Sequence, residues 1–372
     1  MEKRYLSQQI KSALNEKMVF ISGPRQVGKT TLSKQLLNEK KDSYLNYDYP
    51  ADRKLMLLSN LPIVNGVLVL DEIHKMKGWR NLIKGYHDKH FPDLKIIVTG
   101  SAKLDIYRKG GDSLQGRYRH FRLHPLSVKE LDIKAKKDFL ALMTLGGFPE
   151  PYFSQSEKVA RIWRDGYNSR LIKEDIGSLE NFKDLSQLEQ LAIRLPELTG
   201  SVLSIHSLSE DLGVADLTIK RWLEAFEKTY ALFRIHPFGS PLIKAVKKAS
   251  KHYHYDWGQV SDLGAKFENL VACHLLKWID YTRDTEGITY ELRFHKDIEE
   301  REVDFVITDK QKPIVAIECK LKNKDASKSL IYFKRKFPNC RCIQIDVDSD
   351  KKYITNDQIE ILPAIEYLKT LI

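Results

Sequence analysis

Short apolar runs alternate with amphipathic stretches through the first third of the chain. The runs are MVFISG, SYLNYD, VLVLDE and KIIVTGS. Strands alternating with helices predict a parallel sheet in an α/β domain. Their lack of polar alternation predicts burial on both faces. After HPLSVKEL the pattern changes, and from about Asp138 to Phe238 a helical period dominates. Beyond Pro241 a helical stretch, AKFENLVACHLLKWI, precedes the strand-like runs ELRFHK, EVDFVIT, PIVAIECK and CIQIDV. The chain therefore reads as three modules, residues 1–137, 138–240 and 241–372, with boundaries good to about ten residues.

Within the middle module, SLSEDLGVADLTIKRWLEAFEKTYALFRIHPF outlines a helix, a turn at Gly213, a second helix and a short strand. That outline resembles a winged helix-turn-helix. Lys220 and Arg221 on the second helix are expected to be exposed for phosphate contact, with Trp222 and Leu223, and Leu212 and Phe226 nearby, in the core. Such modules also serve as ATPase lids and protein-binding units, so the outline alone does not assign DNA binding.

Composition adds little until charge is counted. The 372 residues are 42% hydrophobic and 30% charged, ordinary for a globular protein. No apolar run is long enough to cross a bilayer, and MEKRYLSQQIKSALNEK has neither an apolar core nor a cleavage site, so no secretory signal is expected. Cys273, Cys319, Cys340 and Cys342 lack zinc spacing, and reduced thiols in a cytoplasmic protein are the simplest expectation. A formal net charge of +11 fits a polyanionic partner, DNA first, or a solvated Lys-rich surface.

The chemistry begins at Gly23-Pro24-Arg25-Gln26-Val27-Gly28-Lys29-Thr30, a complete G-x-x-x-x-G-K-[ST] between a strand-like run and a helical one. Glycines let backbone N–H groups curl around phosphates. Lys29 supplies charge to the β- and γ-phosphates, Thr30 a hydroxyl to magnesium, and Thr31 completes the contact set. VLVL then ends in Asp71 and Glu72, at the strand end where α/β sheets bind ligands. Asp71 is placed to hold magnesium, and Glu72 to orient or deprotonate the attacking water. A third run ends in Thr99-Gly-Ser101, where Thr99 or Ser101 can contact the γ-phosphate or the water; turn chemistry alone also favours these residue types.

The order GPRQVGKTTL, YLNYD, LDEIHKMKGW, VTGSAKLD, LQGRYRHFRLHPLSVKEL and GGFPE (Gly146–Glu150) resembles a bacterial and archaeal family of AAA+-type ATPases. Its members carry a C-terminal domain long catalogued as of unknown function, and the likeness covers nearly the whole chain. The resemblance implies ATP and Mg2+ as cofactors. It also implies an arginine that contacts the γ-phosphate of the same or a neighbouring subunit. Arg117 matches best, with Arg119 and Arg122 as competitors; an intersubunit role would make the working form a homo-oligomer.

In the last module, side-chain alternation puts Glu318 and Lys320 on one strand face. A hairpin symmetric about Gln311 places Asp304 opposite Glu318. Facing carboxylates repel unless a cation lies between them, so a divalent metal is the expected resolution, with Glu268 approaching from the preceding helix. Lys320 would position or activate a water. Asp304 with Glu318-Cys-Lys320 resembles the PD-(D/E)xK nuclease fold, although Val303 stands where the motif has proline. The basic, aromatic segment LKNKDASKSLIYFKRKF suits a phosphate backbone.

The expected architecture is thus an α/β multidomain chain. It comprises a P-loop NTPase core with a parallel sheet, a helical winged-helix middle and an α+β restriction-endonuclease-like end. The expected function is ATP hydrolysis coupled to a DNA-binding or nuclease-like region. A nucleotide-dependent switch that binds protein partners, with an inactive nuclease-like domain, is the alternative. No membrane partner is expected.

Overall fold

A computed structural model describes residues 4–38, 41–62, 65–100, 114–177, 185–239, 250–322, 325–349 and 351–372. The chain divides into two compact units, residues 1–124 with 228–230, and residues 125–227 with 231–372.

The first unit is built on strands β1 (Met18–Ser22), β2 (Ser43–Asn46), β3 (Gly66–Asp71), β4 (Leu94–Thr99) and β5 (Tyr118–Arg122). They form one sheet in the order β2-β3-β4-β1-β5, with every pairing parallel. Helices α1 (Ser7–Ala13), α2 (Lys29–Gln35), α3 (Pro50–Leu57) and α4 (Trp79–His90) accompany it. Met18, Phe20, Leu68, Leu70, Ile96 and Val98 pack with Trp79 and Ile83 of α4 in one core. The intervening residues Val19, Ile21, Val69 and Ile97 are equally buried. Both sheet faces are therefore covered, as the continuous apolar runs require. All strands point their C-terminal ends the same way, so the ends of β1, β3 and β4 lie at one edge of the sheet.

The second unit begins with helices α5 (Lys136–Leu145), α6 (Pro149–Ser154), α7 (Glu157–Arg170), α8 (Leu185–Arg194), α9 (Ile205–Leu212) and α10 (Asp216–Lys228). The Gly146-Gly147 pair after α5 has a steric reason. A Cβ on Gly146 would lie 2.3 Å from Asp256 Oδ1, and one on Gly147 2.3 Å from the Trp257 ring. Arg164 of α7 donates to Asp256 Oδ2 at 2.8 Å and to Leu145 O at 2.6 Å, closing the same junction.

Gly213, with φ 64°, ends α9 ahead of α10. Trp222, Leu223 and Phe226 are buried, Leu212, expected in the core, is only half-buried at the end of its helix, and Lys220 and Arg221 are exposed. The rest of the unit is a mixed sheet of β6 (Leu232–Pro237), β7 (Lys251–His254), β8 (Tyr290–Lys296), β9 (Glu302–Asp309), β10 (Lys312–Lys320), β11 (Arg341–Asp346), β12 (Tyr353–Ile354) and β13 (Ile359–Pro363). The order is β12-β13-β11-β10-β9-β8-β6-β7. Helices α11 (Leu263–Glu286), α12 (Lys328–Lys336) and α13 (Ala364–Thr370) accompany it. Strand β6 pairs antiparallel with β7 and parallel with β8. The hairpin that follows α9 and α10 is thereby continuous with the C-terminal strands, and the helical stretch and those strands share one compact unit.

Candidate nucleotide site and C-terminal carboxylate cluster

The turn after β1 is set by backbone sterics. Gly23 has φ 145°, and a Cβ there would meet Leu123 O at 2.3 Å. Gln26 and Gly28 also have positive φ, at 58° and 102°. Arg4 Nη1 donates to Val27 O at 2.8 Å and steadies the loop from below. Lys29 is buried, and its amine donates to Gly23 O (2.9 Å) and Pro24 O (2.7 Å). The ammonium thus lies inside the coil of residues 23 to 29, held by neutral carbonyls. Phosphate oxygens, being anionic, are stronger acceptors for it.

Strand β4 lies between β1 and β3, yet the loop and the acidic strand end meet. Thr30 Oγ1 donates to Asp71 Oδ2 at 2.7 Å. Tyr44 OH donates to the same oxygen at 2.8 Å, and Thr99 Oγ1 donates to Oδ1. The register supports this convergence, since Asp71 pairs with Thr99 on one side and Asn46 on the other. Asp71 is 3% exposed and is held by these neutral hydroxyls. Burial, then the charge of Asp71, pushes the Tyr44 phenol well above its ordinary range. A hydroxyl and a carboxylate oxygen side by side, next to a lysine-bearing glycine-rich loop, form a donor set that fits magnesium. Thr30 and Asp71 would hold it, directly or through water.

Glu72 follows in the left-handed region, φ 59°, with its N–H bonded to Thr99 O at 3.0 Å. Its carboxylate lies 3.3 Å from Lys75 Nζ and 3.6 Å from His74 Nε2. Burial raises its pKa, and Lys75 and Lys29 pull it back. A partly desolvated carboxylate can accept a proton from water.

The arginines separate along β5. Met18 pairs with Tyr118 and Ser22 with Arg122, so Arg117 stands at the end of the sheet away from the loop, roughly 15 Å of strand from Gly23. There its Nε and Nη2 bond Asp88 at 2.7 and 3.1 Å. Arg119 pairs with Glu16 at 2.8 Å. Arg122, buried, is the one of the three at the loop end. Ser101 lies outside the described residues. Tyr44 and Arg4 went unsingled in the sequence; an aromatic in SYLNYD and an arginine before α1 carry no motif signal.

In the second unit, the described strands bring Asp304, Glu318, Lys320 and Glu268 into one cluster. The pairs Val315–Ile307, Ala316–Val306 and Ile317–Phe305 set a register that continues to Glu318 opposite Asp304. Cys319 N donates to Asp304 Oδ2 at 2.8 Å, and Lys320 Nζ lies 2.8 Å from Glu318 Oε1. Glu318 Oε2 is buried with no hydrogen-bond partner. Glu268, on α11, accepts from Tyr253 OH at 2.6 Å and from Lys251 Nζ at 3.3 Å. Lys251 also pairs with Glu302.

Burial, then Asp304, raises the Glu268 carboxyl to about 8 and the Glu318 carboxyl to about 7. Burial likewise raises Asp304, with Lys251 opposing it. Burial alone would lower Lys320, but Glu318 and Asp304 outweigh it and raise the amine. Lys251, Tyr253 and Glu302 were not anticipated. Period-two alternation was the signal available, since it places Lys251 with Tyr253 and Glu302 with Asp304 on common faces.

Two ends of this cluster differ in their fit to a metal. The orphaned Glu318 Oε2 beside Asp304 fits a cation there. The Glu268 end already holds an ammonium. Among the described residues no group of three or more His, Cys, Asp or Glu side chains is disposed to hold a metal ion.

With this geometry established, comparison with known proteins places the first unit in context. Residues 15–132 match a family model described as an AAA domain. Residues 136–268 and 263–367 match two domains of unknown function, DUF8612 and DUF4143. The chain is similar to an uncharacterised protein of Mycobacterium tuberculosis, 25% identical over 263 residues, covering 69% of this chain and 58% of that one. It is also similar to an uncharacterised protein of Methanocaldococcus jannaschii, 25% identical over 288 residues, with coverages of 63% and 60%. The chain therefore spans less than two thirds of the length of these curated relatives. Among solved structures it is similar to the Walker-type ATPase PABY2304 of Pyrococcus abyssi. That match has a TM-score of 0.44 and 14% identity, and covers 71% of this chain and 95% of the other. The AAA-domain match supports a P-loop ATPase core in residues 15–132. No helix among the described residues is long and apolar enough to cross a membrane.

Proposed function

We propose that this chain is a cytoplasmic AAA+-type ATPase that binds and hydrolyses ATP with Mg2+, and that its nucleotide state controls a DNA-acting C-terminal region. The observation that carries the reading is the meeting of Thr30, Asp71 and Lys29 at one strand edge, with Thr30 and Asp71 2.7 Å apart. Backbone amides of Gly23 to Thr30, with Pro24 contributing shape, wrap the phosphates, and Thr31 extends the contacts. Lys29 exchanges the carbonyls of Gly23 and Pro24 for β- and γ-phosphate oxygens. Thr30 and Asp71 would hold a magnesium ion, which when bound would neutralise phosphate charge. Glu72 takes a proton from the attacking water as the new P–O bond forms and the bond to the ADP oxygen breaks. Arg117 serves the γ-phosphate of a neighbouring copy, since its own loop is at the far end of β5.

The labour divides along the chain. Residues 1–137 burn ATP, residues 138–240 carry the winged helix-turn-helix with Lys220 and Arg221 exposed, and residues 241–372 form the nuclease-like end. There Asp304 and Glu318 would hold a divalent ion and Lys320 would orient the water. The basic helix α12, with Lys334, Arg335 and Lys336 in its last turn, is suited to a DNA backbone. ATPase assays with single-stranded, duplex and branched DNA test this reading. Stimulation by one form supports the coupling, and a turnover indifferent to all three removes DNA as the partner.

A second reading has its own observation. Lys251 neutralises the Glu268 end of the cluster, which favours a nucleotide-dependent switch that binds protein partners through a catalytically silent domain. Divalent-dependent DNA cleavage that vanishes in Glu318→Ala and Lys320→Ala would reject this second reading.

A further inference from the structure

The second unit buries a lysine where carboxylates crowd. Lys251 has a side chain only 2% exposed, on a four-residue strand in which Lys251 and Tyr253 share a face. Its ammonium contacts Glu268 Oε1 at 3.3 Å, pairs with Glu302, and stands 5.6 Å from the centre of the Phe294 ring. The charge of Asp304 also acts on it. Glu268 is half-buried and has further neighbours. Tyr253 OH donates to it at 2.6 Å, and a Cβ on Gly200, which has φ 76°, would lie 3.2 Å from its Oε1.

We infer that Lys251 is a tethered counter-ion that takes the place of a divalent cation beside Glu268 and Glu302, so that this end of the cluster binds no metal while the amine is present. A buried carboxylate needs a positive partner or a proton. A hard divalent ion would have to sit about 2.0–2.5 Å from carboxylate oxygens. That position overlaps the one the ammonium holds, and the two cations would repel in a poorly solvated pocket. Lysine is a compact charge on a flexible stem, so it reaches this point from a strand that carries no metal ligand. Glu268 is therefore a partner for Lys251 rather than a metal ligand. The inference does not depend on whether the Asp304–Glu318 end takes a metal or cleaves DNA.

Manganese is the probe, added to the full nucleotide-free chain and counted by electron paramagnetic resonance. Lys251→Ala is expected to bind one more Mn2+ per chain than the unaltered protein and to be stabilised in thermal melts by added Mn2+. Adding Glu268→Gln to Lys251→Ala should abolish that gain, and Lys251→Arg should show none. An equal Mn2+ count in Lys251→Ala and the unaltered chain overturns the inference. Should Lys251→Ala fail to fold, crystals of the unaltered protein soaked in Mn2+ decide. No anomalous peak in contact with Glu268 or Glu302 supports the tethered amine, and a peak there overturns it. A peak at Asp304 and Glu318 alone belongs to the separate question of cleavage and agrees with the amine's role at Glu268.

Discussion

The two units of this chain both hold carboxylates in partly or fully buried clusters, and they satisfy them differently. Asp71 is surrounded by the hydroxyls of Thr30, Tyr44 and Thr99. Hydroxyls carry no charge and can turn to share a carboxylate with a cation, so the site stays open to magnesium. Glu268 and Glu302 share the ammonium of Lys251. Those charges are already matched within the fold. A carboxylate becomes a metal site by what surrounds it, more than by its own presence.

The comparison can be broken most severely at Lys29. Lys29→Ala should weaken ATP binding by at least ~100-fold, because hydrogen bonds to charged groups contribute about 1.5–3 kcal/mol each. Calorimetry with Mg2+-ATP reads this directly, and unchanged affinity would remove the loop as the phosphate site. Glu72→Gln comes next. Binding should persist while hydrolysis slows by ~10²–10⁴-fold, the usual contribution of a general base. Turnover at the native rate would move that role elsewhere.

Gly23→Ala probes the backbone under the loop. The added Cβ meets Leu123 O at 2.3 Å and φ is 145°. The melting temperature should drop by an amount corresponding to about 1–3 kcal/mol. An unshifted melt would show that β5 yields freely. Arg117→Ala should have the smallest effect. It removes an exposed contact with Asp88, so thermal stability and single-chain nucleotide binding should not change measurably. A loss of ATPase that appears only at protein concentrations where copies associate would mark it as acting across subunits.

The apolar runs announced β1, β3 and β4, because a strand buried on both faces must be apolar at every position. The sheet order was not legible, since nothing in VLVLDE states that β4 comes between it and MVFIS. Pairing partners are chosen by the whole layer. The register of Asp304 opposite Glu318 was anticipated, although the turn is not the symmetric one expected. Lys310 and Gln311 both have positive φ and pair Asp309 with Lys312. Continued unchanged, that pairing would put Glu318 opposite Val303. A shift between Pro313 and Val315 adds the missing residue and restores the alignment.

Lys251 escaped notice for a different reason. KHYH is short and polar, and its lysine acquires meaning only once α11 and β9 deliver Glu268 and Glu302 to it. Of the arginines, Arg117 was favoured by its motif, yet the parallel pairing of β1 with β5 sets it at the far end and Arg122 at the near one. Motif order gives no indication of which end of a strand faces the loop.

A crystal structure with magnesium and a non-hydrolysable ATP analogue tests the central claim most directly. The account predicts the γ-phosphate within hydrogen-bonding distance of Lys29 Nζ, and the metal beside both Thr30 Oγ1 and Asp71. Nucleotide bound elsewhere, or a metal that leaves Thr30 and Asp71 bonded to each other and untouched, would contradict it.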